Sequence, residues 1–199
     1  MSETTFVSRA GLKLEHAIHA FDFDVAGLSC ADLGCNVGGF TDCLLQRGAA
    51  HVHAVDTGYG TLAWKLRSDP RVDTLERTNA LHIEPPSRVD LVTIDLGWTP
   101  QKLALPAGLK WLTSGHIITL VKPHYELTDA EKLGESVAEG LSRESAQRVL
   151  QRVRETCASL NLELCGEIIS PIKGKKSSRK GVGNSEYLLL LKTPPSTTS

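Results

Sequence analysis

Two apolar segments of strand length each end in a charged residue that could take part in chemistry. Asp95 ends the segment VDLVTID (89–95), and Lys122 ends the segment HIITLVK (116–122). A charged side chain is rarely fully buried unless an opposite charge pairs with it. Carboxylates and amines at such places are the residue types that orient a reacting group and exchange a proton with it. Both residues are therefore candidates for a polar site where strands end.

A glycine-rich turn follows an earlier apolar segment, in the sequence DLGCNVGGF (32–40). Its spacing is GxxxGG and not the GxGxxG of dinucleotide-binding proteins, which argues against a dehydrogenase. Asp56 ends the next segment, HVHAVD (51–56), where a carboxylate can accept hydrogen bonds from ribose hydroxyls. The turn and Asp56 together suit an adenosyl ligand that lacks a pyrophosphate. A purely structural turn is the alternative.

The elements that must position these residues alternate between strand-like and helix-like segments. Strands are predicted at 28–34, 51–56, 72–77, 89–96, 116–122, 162–170 and 185–192, and helices at 8–21, 38–48, 61–69 and 128–161. Alternation of this kind predicts an α/β sandwich, doubly wound around a mostly parallel sheet. The last two strands have no helix between them and are expected to pair antiparallel. Ligands of such sheets bind at the carboxyl ends of the strands.

Capping residues set some of the expected helix boundaries. We predict that Ser8 caps the first helix, and that the long helical segment breaks near Gly140 and restarts after a Ser142 cap. Residues 1–192 are expected to form a single domain, and residues 193–199 a disordered tail.

Composition excludes several classes of protein. The 199 residues are 41% hydrophobic and 23% charged, without the apolar stretch of a membrane-spanning helix or a signal peptide. Five cysteines without a CxxC pair predict neither a disulfide framework nor a zinc site, and we expect a cytoplasmic protein. His51 and His53 share one face of a strand, but the sequence offers no third ligand beside them, so no metal site is predicted.

Positive charge is concentrated near the end of the chain. Residues 170–199 hold six basic residues against Glu186 alone, whereas the rest of the chain holds 16 basic and 22 acidic residues. Five of the positive charges lie in KGKKSSRK (173–180). This segment is either a solvated loop or an arm that contacts the phosphates of a nucleic acid.

A longer series of motifs resembles the haemolysin A family within the FtsJ-like RNA 2′-O-ribose methyltransferases. The matching segments are VSRAGLKL (7–14), residues 32–80, LVTID (91–95), LVKPHYE (120–126), SPIKG (170–174) and GNSEYLLLL (183–191). They occur in the family's order between about residue 6 and residue 192. The resemblance implies a Rossmann-like class I methyltransferase fold and S-adenosylmethionine as the cofactor.

The resemblance also implies roles for individual residues. The family works through a Lys-Asp-Lys-Glu tetrad, whose matching residues here are Lys13, Asp95, Lys122 and Glu186. We expect Lys122 to accept the proton of a ribose hydroxyl while the other three orient it. The implied cofactor-binding residues are Asp32, Gly34, Cys35, Gly38, Gly39, Phe40, Asp56, Asn79 and Asp95. Candidates for contacts to RNA phosphates are Arg9, Lys173, Lys175, Lys176, Arg179 and Lys180.

The sequence departs from the family pattern in some places. Haemolysin A proteins carry an N-terminal S4-type RNA-binding module, which we expect this chain to lack. The segment GWTPQKLALPAG and the stretch after LVKPHYE also differ from the usual pattern. The expected substrate is an RNA, with ribosomal RNA the first candidate, and recruitment by a protein partner is left open.

Three other functions are compatible with parts of the sequence. A non-catalytic module that binds RNA or the cofactor would not need all four tetrad residues. A small-molecule methyltransferase would need extra loops that close an acceptor pocket. A membrane lysin, which the family name suggests, would need a spanning segment or a strongly amphipathic surface helix, and the sequence shows neither.

Overall fold

A seven-stranded sheet forms the centre of the protein. In the computed structural model, which describes residues 6–134, 141–174 and 183–194, the strand order is β3-β2-β1-β4-β5-β7-β6. The strands are β1 (Ser29–Leu33), β2 (His51–Val55), β3 (Val72–Leu75), β4 (Val89–Ile94), β5 (Leu112–Val121), β6 (Glu163–Ile169) and β7 (Tyr187–Lys192). Strand β7 runs antiparallel to both β5 and β6, and the other neighbouring pairs are parallel. The predicted mixed, mostly parallel sheet is confirmed.

Helices cover both faces of this sheet. They are α1 (Ala10–Ala20), α2 (Gly39–Gln46), α3 (Trp64–Arg67), α4 (Gln101–Leu109), α5 (Asp129–Gly134) and α6 (Arg143–Ser159), with a 3₁₀ turn at Pro123–Tyr125. The hydroxyl of Ser142 accepts the backbone N–H of Ser145 at 3.1 Å, which confirms the predicted cap of α6. In the part of the chain that the structure describes, no helix is both long and apolar enough to cross a membrane.

Two apolar cores separate the helices from the sheet. One lies under α1 and α2 and contains Leu14 and Leu44; the other lies under α4 and α6 and contains Leu105 and Leu150. Successive residues of the central strands enter opposite cores because strand side chains alternate between the two faces. Ile117 and Ile118 are an example. The continuous apolar runs of β4, β5 and β7 follow from this burial on both sides.

The structure corrects two boundaries that the sequence suggested and adds one helix. The N-cap of α1 is Arg9 and not Ser8, whose hydroxyl accepts the backbone N–H of Ala10 at 3.3 Å. Helix α4 was not predicted because Pro106 lies inside it, and proline removes a helical hydrogen bond. Strand β5 begins at Leu112, four residues before the predicted start. Thr193, placed in the predicted tail, is buried and donates its backbone N–H to the Gly115 carbonyl at 3.0 Å.

A half-buried carboxyl group connects α4 to the segment after β5. Glu126 accepts the backbone N–H of Gln101, the first residue of α4, at 2.8 Å. Burial raises the pKa of Glu126 from 4.5 to about 7, against the opposing effects of the Gln101 hydrogen bond and of Arg152 and Lys102. The folded state therefore keeps a proton that the unfolded chain releases between these two pH values.

The raised pKa of Glu126 predicts a loss of stability as pH rises. Between pH 4.5 and about 7 the native state binds more protons than the unfolded state, so the free energy of unfolding falls, by up to about 3 kcal/mol. Glu126→Gln should remove this contribution. The free energy of unfolding of the variant, measured with urea, should therefore rise relative to that of the wild type between about pH 5 and pH 7.5. The exposed Glu84→Gln is the control. A difference in unfolding free energy between the wild type and Glu126→Gln that does not change with pH would contradict the assignment.

Candidate active site

The carboxyl ends of β1 and β4 border a cleft where the chain order across the sheet reverses. From β1 the chain continues to β2 on one side, and β4 lies on the other, which opens a crevice between the following loops. A cavity of about 630 Å³ and a neighbouring one of about 240 Å³ occupy this place. Gly34, Asn36 and Asp95 line both cavities, so the two form one continuous binding region.

Four charged side chains meet in the larger cavity. Lys13 of α1 donates to Glu186, which directly precedes β7, and Lys122 at the end of β5 donates to Asp95 at the end of β4. All four residues line the cavity. Their side chains are between 4% and 18% exposed, and each charge is balanced by its partner. The structure brings these four residues together, as the sequence predicts, in two ion pairs that line the same cavity.

The two ion pairs face a volume large enough for a substrate group. The Lys122 ammonium also lies 3.5 Å from the Leu96 carbonyl and 5.8 Å from the centre of the Tyr125 ring. Several acceptors and an aromatic face therefore fix the position of this nitrogen. An amine held in this way can hydrogen-bond a hydroxyl group and, in its uncharged form, accept the proton of that hydroxyl.

The glycine turn after β1 lines both cavities through Gly34 and Asn36. Gly34 has φ of +91°, and a Cβ atom there would lie 2.7 Å from the carbonyl oxygen of Asp95. Asn36, also with a positive φ, donates its backbone N–H to Asp56 Oδ2 at 2.9 Å. The other oxygen of Asp56 accepts the N–H of Gly58 at 2.7 Å. The turn thus exposes backbone to both cavities and fixes the Asp56 carboxylate beside the smaller one.

The smaller cavity combines polar and apolar walls. Asp56 and Asn79 lie in it together with Leu81 and Leu96. A carboxylate has about four lone-pair positions, so Asp56 keeps acceptor capacity beyond its two backbone donors. A sugar with two neighbouring hydroxyls next to a flat apolar ring fits this set of groups.

Three of the predicted cofactor residues do not line the cavities. Asp32 is fully buried, and it accepts hydrogen bonds from Thr41 N (2.9 Å), Thr41 Oγ1 (2.7 Å) and Thr93 Oγ1 (3.0 Å). Burial raises its pKa to about 6, although these bonds act in the opposite direction. Asp32 therefore ties β1 to α2 and β4, and its side chain lines neither cavity.

Gly38 and Gly39 also act through packing. A Cβ atom at Gly38, whose φ is +101°, would lie 2.3 Å from Leu66 Cδ1, and one at Gly39 would lie 2.3 Å from Ser8 Oγ. These glycines let α2 start close to α1 and α3. Phe40 and Cys35 do line the larger cavity, as expected.

The cysteines around the turn are buried. Cys30, Cys35 and Cys43 have little or no exposed surface, and burial raises the pKa of each thiol. Because the thiolate is the nucleophilic form, none of the three is prepared for covalent catalysis.

Basic residues lie at the entrance of the larger cavity. Arg9 and Lys173 are exposed and belong to its lining. Lys175, Lys176, Arg179 and Lys180, the other candidates for phosphate contacts, lie outside the described residues.

Sequence reasoning missed an aromatic group at the same entrance. Trp98 is 83% exposed, and its ring lies 4.7 Å from that of Tyr125, which in turn lies 4.0 Å from the ring of His124. All three line the larger cavity, as does Asn36. An aromatic residue directly after the β4 end, in GWTP, was the available signal, because loops at the carboxyl ends of strands carry ligand contacts.

Comparison with known proteins places the chain among methyltransferases. The FtsJ-like methyltransferase family model matches residues 6–189. The 16S/23S rRNA (cytidine-2′-O)-methyltransferase TlyA of Mycobacterium tuberculosis is 42% identical over 198 residues, which cover 96% of this chain and 70% of the relative. Hemolysin A of Brachyspira hyodysenteriae is 35% identical, with 92% of this chain and 75% of that protein covered.

A solved structure shows the same fold over almost the whole chain. The structure of a hemolysin-named protein from Streptococcus thermophilus has a TM-score of 0.86 and 33% sequence identity, and the match covers 98% of this chain and 69% of that one.

Proposed function

The chain belongs to the family of FtsJ-like methyltransferases and uses S-adenosylmethionine, and from this premise we propose that it methylates the 2′-hydroxyl of a ribose in RNA. One observation carries the proposal: the ion pairs Lys13–Glu186 and Lys122–Asp95 line one cavity, which Asp95 joins to the smaller one. Ribosomal RNA is the proposed substrate because the relative from M. tuberculosis is named for that activity. The reaction would then take place in the cytoplasm.

The residues of the smaller cavity fit the adenosyl part of the cofactor. Asp56 has free acceptor capacity for ribose hydroxyls, and Asn79, Leu81 and Leu96 surround the space beside it. The absence of a side chain at Gly34 lets the turn after β1 pack against the Asp95 carbonyl, which sets the shape of the wall shared by the two cavities. We propose that Cys35 and Phe40 contact the methionine end, toward the larger cavity.

In the proposed reaction the protein acts mainly by positioning the methyl donor and the ribose hydroxyl. When bound, S-adenosylmethionine supplies a methyl group on a positively charged sulfur and leaves as the neutral thioether. Lys122 in its amine form takes the proton of the ribose hydroxyl as the oxygen–methyl bond forms. Asp95 holds the Lys122 nitrogen, and the Lys13–Glu186 pair holds the hydroxyl from the other side. Holding reactants in line in this way supplies a large share of the acceleration of such displacements.

Positive charge around the entrance supports an RNA substrate. Arg9 and Lys173 lie there, and the basic segment 173–180 continues from Lys173. We propose that these residues neutralise RNA phosphates, which would release counterions and make binding depend on salt. The neighbouring Trp98 and Tyr125 rings, tilted by 36° to each other, offer an aromatic surface on which a base can stack.

Neutralising the basic segment should weaken RNA binding in a salt-dependent way. Replacing Lys173, Lys175, Lys176, Arg179 and Lys180 with glutamine should reduce the slope of log affinity against log salt by up to about 3.5, at about 0.7 for each single-stranded phosphate contact. The measurement is RNA binding across a salt series, with Lys110→Gln as the control. An unchanged slope would leave the segment as a solvated loop.

Transfer of labelled methyl groups tests the substrate class. The protein is incubated with methyl-labelled S-adenosylmethionine and, separately, with total RNA, small ribosomal subunits and large ribosomal subunits. Label in RNA supports the proposal and identifies the RNA to be mapped. Label found only in small molecules of a cell extract would favour a small-molecule methyltransferase. Tight cofactor binding without transfer, also in the presence of extract proteins, would favour a non-catalytic module.

A further inference from the structure

A group of metal-ligand residues lies on the outer part of the sheet, away from the cleft. His51 and His53 point to the same face of β2 because they are two residues apart. Asp73 of the neighbouring strand β3 is in register with His53. The third ligand that the sequence did not reveal is thus supplied by the adjacent strand.

The distances between these side chains fit a single metal ion. Asp73 Oδ2 lies 3.4 Å from His51 Nε2 and 3.1 Å from His53 Nδ1, and all three atoms are within 4.8 Å of one another. Bonds of about 2.0–2.1 Å at tetrahedral angles place two ligand atoms roughly 3.3–3.4 Å apart. The two distances to Asp73 therefore already match what a shared ion requires, and the two histidine nitrogens are within 4.8 Å of each other.

The ring of His53 is held in an orientation suited to metal binding. Its side chain is 5% exposed, and its Nε2 lies 2.9 Å from Ser87 Oγ, in hydrogen-bonding distance. Its Nδ1 is buried, and the polar atom beside it is Asp73 Oδ2 at 3.1 Å. When Nε2–H donates to Ser87, Nδ1 presents its lone pair toward Asp73 and His51. A hydrogen bond on the far ring nitrogen is typical of metal-binding histidines.

We propose that His51, His53 and Asp73 bind a divalent transition-metal ion, with zinc as the preferred ion and a solvent oxygen as the fourth ligand. Two imidazoles and a carboxylate are ligands that zinc accepts in tetrahedral sites. Strand β3 is at the edge of the sheet, and the ion would tie it to β2. His51 starts β2 whereas Asp56 follows its end, roughly 16 Å away at 3.3 Å per residue, so the ion acts on stability and not on methyl transfer.

Zinc titration of the full chain tests the site. Isothermal titration with zinc chloride is carried out in a Cys165→Ser background, which removes the exposed thiol as a competing ligand. We expect one ion per chain, at least tenfold weaker binding in Asp73→Asn and in His51→Gln, and unchanged binding in His82→Gln, which removes an exposed histidine elsewhere. Zinc should also raise the melting temperature of the wild type and not that of Asp73→Asn.

Two results would overturn the proposal. One is the absence of saturable zinc binding in a wild type that melts cooperatively. The other is zinc binding that Asp73→Asn and His51→Gln leave unchanged, which would place the ion elsewhere. Both substituted side chains are partly exposed, and melting of each variant without zinc verifies that it folds. Visible absorption of the cobalt form supplies a second readout, because a tetrahedral site with nitrogen and oxygen ligands differs from a thiolate site.

Discussion

Replacing Lys122 with alanine is expected to lower the rate of methyl transfer by about 10²–10⁴-fold, the usual contribution of a positioned general base. The Lys122 nitrogen is held by Asp95 and by the Leu96 carbonyl at the junction of the two cavities. In the proposed mechanism this substitution removes the base that receives the proton of the ribose hydroxyl as the new bond forms. The measurement is single-turnover transfer from labelled S-adenosylmethionine to the RNA substrate that the labelling experiment identifies.

Cofactor binding separates this effect from a general loss of structure. The affinity of Lys122→Ala for S-adenosylmethionine should stay within a few-fold of the wild type, because Asp56 and the glycine turn are untouched. Lys110→Ala removes a lysine that pairs with Glu84 on the surface, and it should retain full activity. If Lys122→Ala transferred methyl groups at the wild-type rate, the role of Lys122 as proton acceptor would be wrong.

Gly34→Ala should reduce the affinity for S-adenosylmethionine at least tenfold. The added Cβ would lie 2.7 Å from the Asp95 carbonyl oxygen, a backbone atom that cannot turn aside as a flexible side chain can. The β1 turn or the end of β4 must therefore move, and both line the two cavities. The measurement is cofactor titration by calorimetry.

Gly27→Ala is the matched control for this substitution. Gly27 also has a positive φ, +77°, but nothing lies within 4 Å of a Cβ added there. Both variants carry the cost of a left-handed backbone, about 1–2 kcal/mol. Only Gly34→Ala adds the collision with Asp95. Equal cofactor affinities in the two variants would show that the turn after β1 does not take part in cofactor binding.

Much of the fold could be predicted because burial on both faces leaves a simple pattern. The apolar runs of β4, β5 and β7 marked central strands, and the missing helix between β6 and β7 marked their antiparallel pairing. Helix α4 was not predicted because Pro106 is a local signal against a helix. The helix forms because it buries Leu105 and neighbouring residues. Tertiary packing overrode local preference at this position.

The site could be predicted only as a set of residues and not as an arrangement. Lys13 and Glu186 are 173 residues apart, so no spacing rule joins them, and their pairing requires the fold. Spacing also does not tell which way a side chain points. Asp32 lies near the end of β1, but its carboxylate turns inward to Thr41 and Thr93. The partner of His51 and His53 was hidden for the same reason, since Asp73 belongs to another strand.

Alkaline hydrolysis of the methylated RNA tests the central proposal most directly. RNA labelled by the wild type and by Lys122→Ala is digested with alkali, which cleaves next to a free 2′-hydroxyl and cannot cleave next to a methylated one. We predict label in alkali-resistant dinucleotides for the wild type and almost none for the variant. Label released as mononucleotides would show methylation of a base, and would contradict the assignment of the cleft to a ribose 2′-hydroxyl.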